Sequence, residues 1–154
     1  MLTHVPDLLR NAGVGTIRLV SDADGMGDLN FDVTKAARLV QAEGAAHRLL
    51  VTADLPYLAA DDIADLVDPG RQSLVVIAEA KDGGANALLL RPPAVLAFAT
   101  GQPSARRHAK LARAVGNEPV IVRQSGLARD IDTPADLAAL ASNHPTYRVY
   151  RHVA

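Results

Sequence analysis

Two hydrophobic rhythms trade places along the chain. Leu29, Val33, Ala36 and Val40 recur at i, i+4, i+7 and i+11, the single apolar stripe of an amphipathic helix, and Gly44 follows as its natural stop. "HRLLVTA" (47–53), "SLVVIAEA" (73–80), "ALLL" (87–90) and "EPVIVRQ" (118–124) are instead short, nearly continuous apolar runs, the pattern of strands buried on both faces. "TIRLVSD" (16–22) is rich in β-branched residues and predicts a further strand ending near Asp22, after a short helix over about 4–12. The loop "ADGMGD" (23–28) then leads into the first amphipathic stripe.

The remaining segments predict helices and turns. Pro56 interrupts the chain after "HRLLVTA", and "AADDIADLV" (59–67) is a short helix with acidic residues in its first turn. "KDGGAN" (81–86) is a turn, "PPAVLAFA" (92–99) a proline-started helix, and "SARRHAKLARAVG" (104–116) a helix with Ser104 as its N-cap. A last helix begins at Pro134, and the tail "TYRVYRHVA" (146–154) is compatible with an edge strand or a loose end. Strand and helix alternate, so the expected architecture is a three-layer α/β/α sandwich around a mostly parallel sheet, with one domain over 1–141 and a tail over 142–154.

Composition narrows this picture. A chain of 154 residues suits one domain, and with 49% apolar but only 3% aromatic residues its core is built from Val, Leu, Ile and Ala. A formal net charge of −1 gives no field to attract nucleic acid or an anionic membrane. The absence of cysteine rules out disulfides and thiolate chemistry. No apolar run is long enough to span a membrane, and the first residues lack a signal-peptide pattern, so a cytoplasmic protein is expected.

The candidate chemistry lies after the strands, where open α/β sheets bind ligands. Asp22, Asp54, the Gly83-Gly84 turn and Asp130 all follow predicted strands. In "RDIDTP", Asp130 and Asp132 leave the same face of an extended segment with Cα atoms at most about 7 Å apart. Two carboxylates so close repel unless a cation lies between them, and Mg²⁺ (or Mn²⁺) suits them because it completes its shell with water and substrate phosphates. The same residues also fit a simpler role, with Asp132 or Thr133 capping the helix at Pro134 and Asp130 solvated. Asp54 fits a turn before Pro56 as well as a site. Gly83 and Gly84 permit close backbone approach to a ligand, and Asn86 offers both donors and an acceptor, yet the segment reads equally as a hairpin turn. The helix opened by Ser104 presents free N–H groups to an anion, with Arg106 and Arg107 nearby. His108 shares a stripe with Leu111, Ala112 and Val115, which favours a packed histidine over a catalytic one.

Four segments, "VTADLPYLAADDIADLV", "DGGANALLLRPP", "TGQPSARRH" and "GLARDIDTPADLAAL", in that order, resemble the 2-phospho-L-lactate / phosphoenolpyruvate guanylyltransferase family of deazaflavin-coenzyme biosynthesis. The resemblance runs from Met1 to about Leu140. It implies a nucleotide-diphospho-sugar-transferase-like α/β fold and a Mg²⁺-dependent reaction that joins GMP from GTP to a phosphorylated three-carbon acid and releases pyrophosphate. It further implies that Asp54, Asp130 and Asp132 are the catalytic, metal-holding acids. The acid substrate would be held around Gly84, Asn86, Gly101 and Ser104, and the nucleotide near Asn30.

The sequence departs from the family pattern in two places. The family's Gly-Thr-Asn turn is Gly84-Ala85-Asn86 here. The family's opening strand and basic loop, of the form "PxKxxxxAKxRL", have no counterpart, since "MLTHVPDLLRNAGVGTIRLVSD" resembles the helix and strand that come after them. The resemblance then implies weak GTP binding and little transfer by these residues alone. It leaves two readings open: a guanylyltransferase completed by further polypeptide, or a non-catalytic remnant or binding subunit that keeps the metal and phosphoester sites. The choice of phospho-acid and any homo-oligomeric state are not fixed by sequence.

Overall fold

The computed structural model describes residues 4–21, 28–68, 72–101 and 103–143. In chain order the elements are α1 (His4–Asn11), α2 (Leu29–Ala42), β1 (Arg48–Val51), α3 (Ala60–Val67), β2 (Val75–Glu79), β3 (Ala85–Leu90), α4 (Ser104–Ala114), β4 (Val120–Val122) and α5 (Pro134–Asn143). The strands form one sheet in the order β1-β3-β2-β4.

Alternate side chains of the strands leave opposite faces, and each face is covered. Val76 and Ala78 of β2 join Ala87 and Leu89 of β3 under α1 and α3, which contribute Val5, Leu9, Ile63 and Leu66. Val75 and Ile77 join Leu88 and Leu90 on the other face under Ala105, Ala109 and Ala112 of α4. Burial on both sides explains why "VVIA" and "ALLL" are continuous rather than alternating apolar runs. The three-layer α/β/α class therefore holds.

The sheet is mixed, which corrects the expectation of mostly parallel pairing. β3 is antiparallel to both β1 and β2, and only β2 and β4 pair in parallel. The cause is the tight turn between β2 and β3: Gly83 has φ 89°, Ala80 N–H donates to Gly84 O, and Gly83 N–H to Ala80 O, so the chain reverses as a hairpin. β1, β2 and β4 all point one way, and β3 alone is reversed.

Three other expectations are adjusted. Residues 16–21 belong to no strand, and Asp22 lies outside the described residues, as do 23–27 and the tail 144–154. "PPAVLAFA" is a series of turns and bends, not a helix. Pro93 disfavours a helical conformation at Pro92, and neither proline offers an N–H. In α2 the buried residues are Val33 and Ala37, while Leu29 is exposed, so the helix is rotated slightly from the stripe read in sequence. Its ends match their signals: Asp28 accepts from the N–H groups of Asn30 and Phe31, and Gly44 follows with φ 88°.

Candidate active site

The register places Val51, Ala87, Ala78 and Val122 in one row across the sheet. Just beyond that row lie the carboxyl ends of β1, β2 and β4 and the start of β3, so Asp54, the 80–86 turn and the segment leading to Asp130 share one edge. Three same-way strands with one reversed hairpin strand bring these residues together.

Asn86 is the hub of this edge. It is buried at 4% exposure. Its carbonyl accepts from Thr52 N–H at 2.9 Å, which ties the end of β1 to β3 two residues before Asp54. Its side-chain Nδ2 donates to Leu127 O at 2.9 Å, and the side chain also hydrogen-bonds the Asp130 carboxylate. One buried amide thus fixes the segment carrying Asp130 against the sheet.

Asp130 is half-buried, and that desolvation holds its carboxyl above the ordinary Asp value. A hydrogen bond to its own backbone and the Asn86 bond pull the other way, while the charges of Asp132 and Asp82 add to the rise. The acids are therefore close enough to feel one another. Asp132 is exposed. The cap of α5 is Thr133, whose Oγ1 accepts from Asp136 N–H at 3.2 Å while Asp136 accepts from Thr133 N–H at 2.9 Å. Thr133 therefore does the capping, and Asp132 is left for other work. Asp54 Oδ1 is buried and has no hydrogen-bond partner, the condition of a carboxylate oxygen that a cation would satisfy.

Among the described residues no three His, Cys, Asp or Glu side chains are grouped so as to hold a metal ion by themselves. The donor set suits Mg²⁺ all the same, since that ion needs only one or two carboxylates when water and phosphate complete its shell. Asp130 and Asp132 fit that requirement, and the orphaned Asp54 oxygen follows β1 at the same end of the sheet.

Opposite the acids, the start of α4 docks on the β2–β3 turn. Ser104 is the first residue of the helix rather than its N-cap, which is Pro103. The Ser104 hydroxyl instead accepts from Ala85 N–H at 2.8 Å, and Ala105 N–H donates to Gly83 O at 3.3 Å. The hydroxyl proton of Ser104 remains a donor, although the residue is only 5% exposed. Gly84 lies in the same turn, its N–H held by Asp82 Oδ1 at 2.8 Å.

The segment ahead of α4 is fastened from two sides. Asn30 Oδ1 accepts from Thr100 N–H at 2.7 Å, and Arg107 Nη1 donates to Thr100 O at 3.0 Å. Gly101 follows with φ 79°, a conformation costly for other residues. Asn30 thus reaches the loop that carries Gly101. His108 is buried, and its Nε2 accepts from Ala99 N–H at 3.1 Å. Burial lowers its pKa to about 4, against a smaller opposing effect of the Ser104 backbone, so the ring is neutral and structural.

Sequence reasoning passed over two features. Asp82 was read only as part of a turn, yet its charge acts on Asp130. Arg129 lies over the Tyr57 ring at 5.8 Å and pins the loop just before Asp130. The Asp-Gly-Gly run and the Arg-Asp pair were the only available signals, and neither specifies a partner across the fold.

Comparison with known proteins bears on this arrangement. The chain is 38% identical over 143 residues to the phosphoenolpyruvate guanylyltransferase of Sphaerobacter thermophilus, covering 91% of this chain and 67% of that protein. It is 32% identical over 171 residues to the enzyme of the same name from Rubrobacter xylanophilus, covering 98% and 83%. It is 31% identical over 151 residues to the 2-phospho-L-lactate guanylyltransferase of Methanosarcina barkeri, covering 91% and 71%. Two solved structures share the fold. One is a Desulfovibrio desulfuricans G20 chain described as a nucleotide-diphospho-sugar transferase, at TM-score 0.62, 18% identity, 91% of this chain and 61% of that one. The other is a hypothetical transferase from Thermus thermophilus, at TM-score 0.61, 16% identity, 88% and 85%. The family model described as "Guanylyl transferase CofC like" matches residues 5–147, and the chain belongs to that guanylyl transferase family.

Proposed function

We propose that the acidic edge is the site of guanylyl transfer: GMP from GTP is joined to the phosphate of a phosphorylated three-carbon acid, phosphoenolpyruvate or 2-phospholactate, with release of pyrophosphate. The relatives carry both substrate names, and the family match covers nearly the whole chain. The observation that carries the reading is the Asn86 hub, which holds Asp130 near Asp132 at the end of the sheet that also carries the orphaned oxygen of Asp54.

Mg²⁺ (or Mn²⁺), when bound, supplies positive charge that neutralises phosphate oxygens. Asp130 and Asp132 would hold it, and Asp54 would contribute its unpaired oxygen. The Ser104 hydroxyl, with the Gly84 and Gly101 turns, lines the position of the acid substrate, while Asn86 keeps the acids at fixed spacing. Asn30 acts on the nucleotide side through the Thr100–Gly101 segment it fastens. Catalysis of this kind rests on positioning and electrostatics, so rigid placement of these side chains is the protein's main contribution. No described helix is long and apolar enough to cross a membrane. Together with the absence of cysteine this supports placing the reaction in the cytoplasm.

The test is pyrophosphate release from GTP with Mg²⁺, measured with and without each phospho-acid. The reading predicts release that requires the acid and is lost in Asp130→Asn. Release independent of the acid, or undiminished by Asp130→Asn, would overturn it.

A further inference from the structure

Three buried side-chain oxygens have no hydrogen-bond partner among the described residues: Thr52 Oγ1, Asp54 Oδ1 and Gln124 Oε1. Gln124 is fastened through its other polar atom, since Nε2 donates to the Asp65 carboxylate. Thr52 has no second polar atom in its side chain, so its whole polar complement is unpaired. It stands directly after β1 and two residues before Asp54, with the Cα atoms of the two at most about 7 Å apart.

The backbone of Thr52 is fixed. Its N–H donates to Asn86 O at 2.9 Å, so it is tied to the residue whose side chain holds Asp130 against the sheet. β-Branching restricts the side chain to few rotamers, which limits how far the hydroxyl can turn away. Valine has the same shape without the hydroxyl, and Val51 occupies the preceding position. A buried hydroxyl left unpaired lowers stability relative to valine at the same place. In a native fold such a group is accounted for by a catalytic role, a water or an ion. The orphaned Asp54 oxygen two residues on, and Asp130 on the other side of Asn86, favour the ion.

We infer that Thr52 is a positioning residue of the cation site: its hydroxyl oxygen accepts a hydrogen bond from the water shell of the divalent cation that Asp130 and Asp132 would hold. Mg²⁺ bound by one or two carboxylates keeps several waters. Water on a divalent cation is a stronger donor than bulk water, and an uncharged oxygen meets it without adding to the repulsion among the acids. Asn86 joins the two halves of the site, through its main-chain oxygen to Thr52 and through its side chain to Asp130. The inference rests on the cation proposed above for the acidic edge and adds to it a neutral oxygen after β1.

Two variants test it, with two measurements that need no turnover. Thr52→Val keeps the shape and removes the hydroxyl; Thr52→Ser keeps the hydroxyl and removes the methyl. Each is unfolded in urea without metal, and each is titrated calorimetrically with Mn²⁺, first alone and then with phosphoenolpyruvate. Thr52→Val is expected to unfold at a midpoint equal to or above that of wild type, yet to bind Mn²⁺ alone roughly tenfold more weakly. Thr52→Ser is expected to bind it within about twofold of wild type. A lowered midpoint with unchanged Mn²⁺ affinity overturns the proposal and makes the hydroxyl an internal fastening. Unchanged midpoint and affinity overturn it too, as do equal losses in both variants, which would place the effect in the methyl group. A loss seen only with phosphoenolpyruvate overturns the cation assignment, because the hydroxyl then donates to the acid substrate. Absence of Mn²⁺ binding by wild type overturns it together with the cation. Since Mn²⁺ alone is the probe, acid-dependent pyrophosphate release can stand where this inference fails, and can fail where the Thr52→Val loss is seen.

Discussion

Replacing Asn86 by alanine removes a side chain that joins β3 to the segment carrying Asp130 and Asp132. The Nδ2 bond to Leu127 O, at 2.9 Å, is buried and neutral, and its loss leaves a buried carbonyl unpaired at about 1–3 kcal/mol. The bond to Asp130 is charge-assisted but only half-buried, so it adds less than a fully buried bond of that kind, about 1 kcal/mol. A total of about 2–4 kcal/mol is a large fraction of the stability of an ordinary domain. The expected outcome for Asn86→Ala is an unfolding free energy lowered by that amount, read from a lower urea midpoint at unchanged slope, together with weaker Mn²⁺ binding because Asp130 is no longer held in place. The slope matters, because a changed slope would mean an altered unfolded or native ensemble. A variant within about 0.5 kcal/mol of wild type, with unchanged Mn²⁺ affinity, would refute the hub argument.

Three further outcomes follow from particular contacts. Gly126→Ala places a Cβ 2.7 Å from Tyr57 O and against the Asp62 carboxylate, so a loss of about 3 kcal/mol is expected; a thermal midpoint like that of wild type would contradict this. Ser104→Ala strands the Ala85 N–H and is expected to cost about 1–2 kcal/mol by denaturation, with partial recovery in Ser104→Thr, and a silent alanine variant would remove that fastening. His108, held near pKa 4 by burial, binds fewer protons in the native than in the unfolded state between its ordinary value of 6.5 and about 4. Stability should therefore fall as pH drops through that window, by at most about 3 kcal/mol, and the fall should be missing in His108→Gln; parallel pH profiles for the two proteins would show that His108 is not responsible.

The parts of this fold legible in sequence were those fixed by local signals. The apolar runs at 48–51, 75–79, 87–90 and 120–122 became strands; burial on both faces accounts for the continuous Val and Leu of β2 and β3, while β1 and most of β4 are half-buried. The caps at Asp28 and Gly44 and the proline start at Pro134 likewise set helix ends by short-range hydrogen bonding and allowed φ. Pairing was not local. Whether "KDGGAN" turns tightly or leads into a crossover depends on hydrogen bonds such as Ala80 N–H to Gly84 O, and that choice reversed β3. "TIRLVSD" has strand composition but pairs with nothing among the described residues, because a strand needs a neighbour and the β1 edge lies across a cleft.

The acids show the same division. Their spacing in "RDIDTP" announced mutual repulsion, and the charge of Asp132 does act on Asp130. That Thr133, not Asp132, caps α5 depends on the Asp136 carboxylate reaching back to the Thr133 N–H, which the spacing alone does not specify. The reach of Asn86 to Leu127, across 41 residues, has no trace in the sequence.

The central claim is that the carboxylates at the sheet edge act by holding a divalent cation against an anionic substrate. Calorimetric titration of Mn²⁺ into the wild-type chain, with and without phosphoenolpyruvate, tests it most directly. The account predicts that the acid raises Mn²⁺ affinity by roughly tenfold or more, about 1.4 kcal/mol, and that Asp130→Asn or Asp132→Asn abolishes this gain. Equal Mn²⁺ affinity with and without phosphoenolpyruvate, or an equal gain in wild type and both variants, would contradict it.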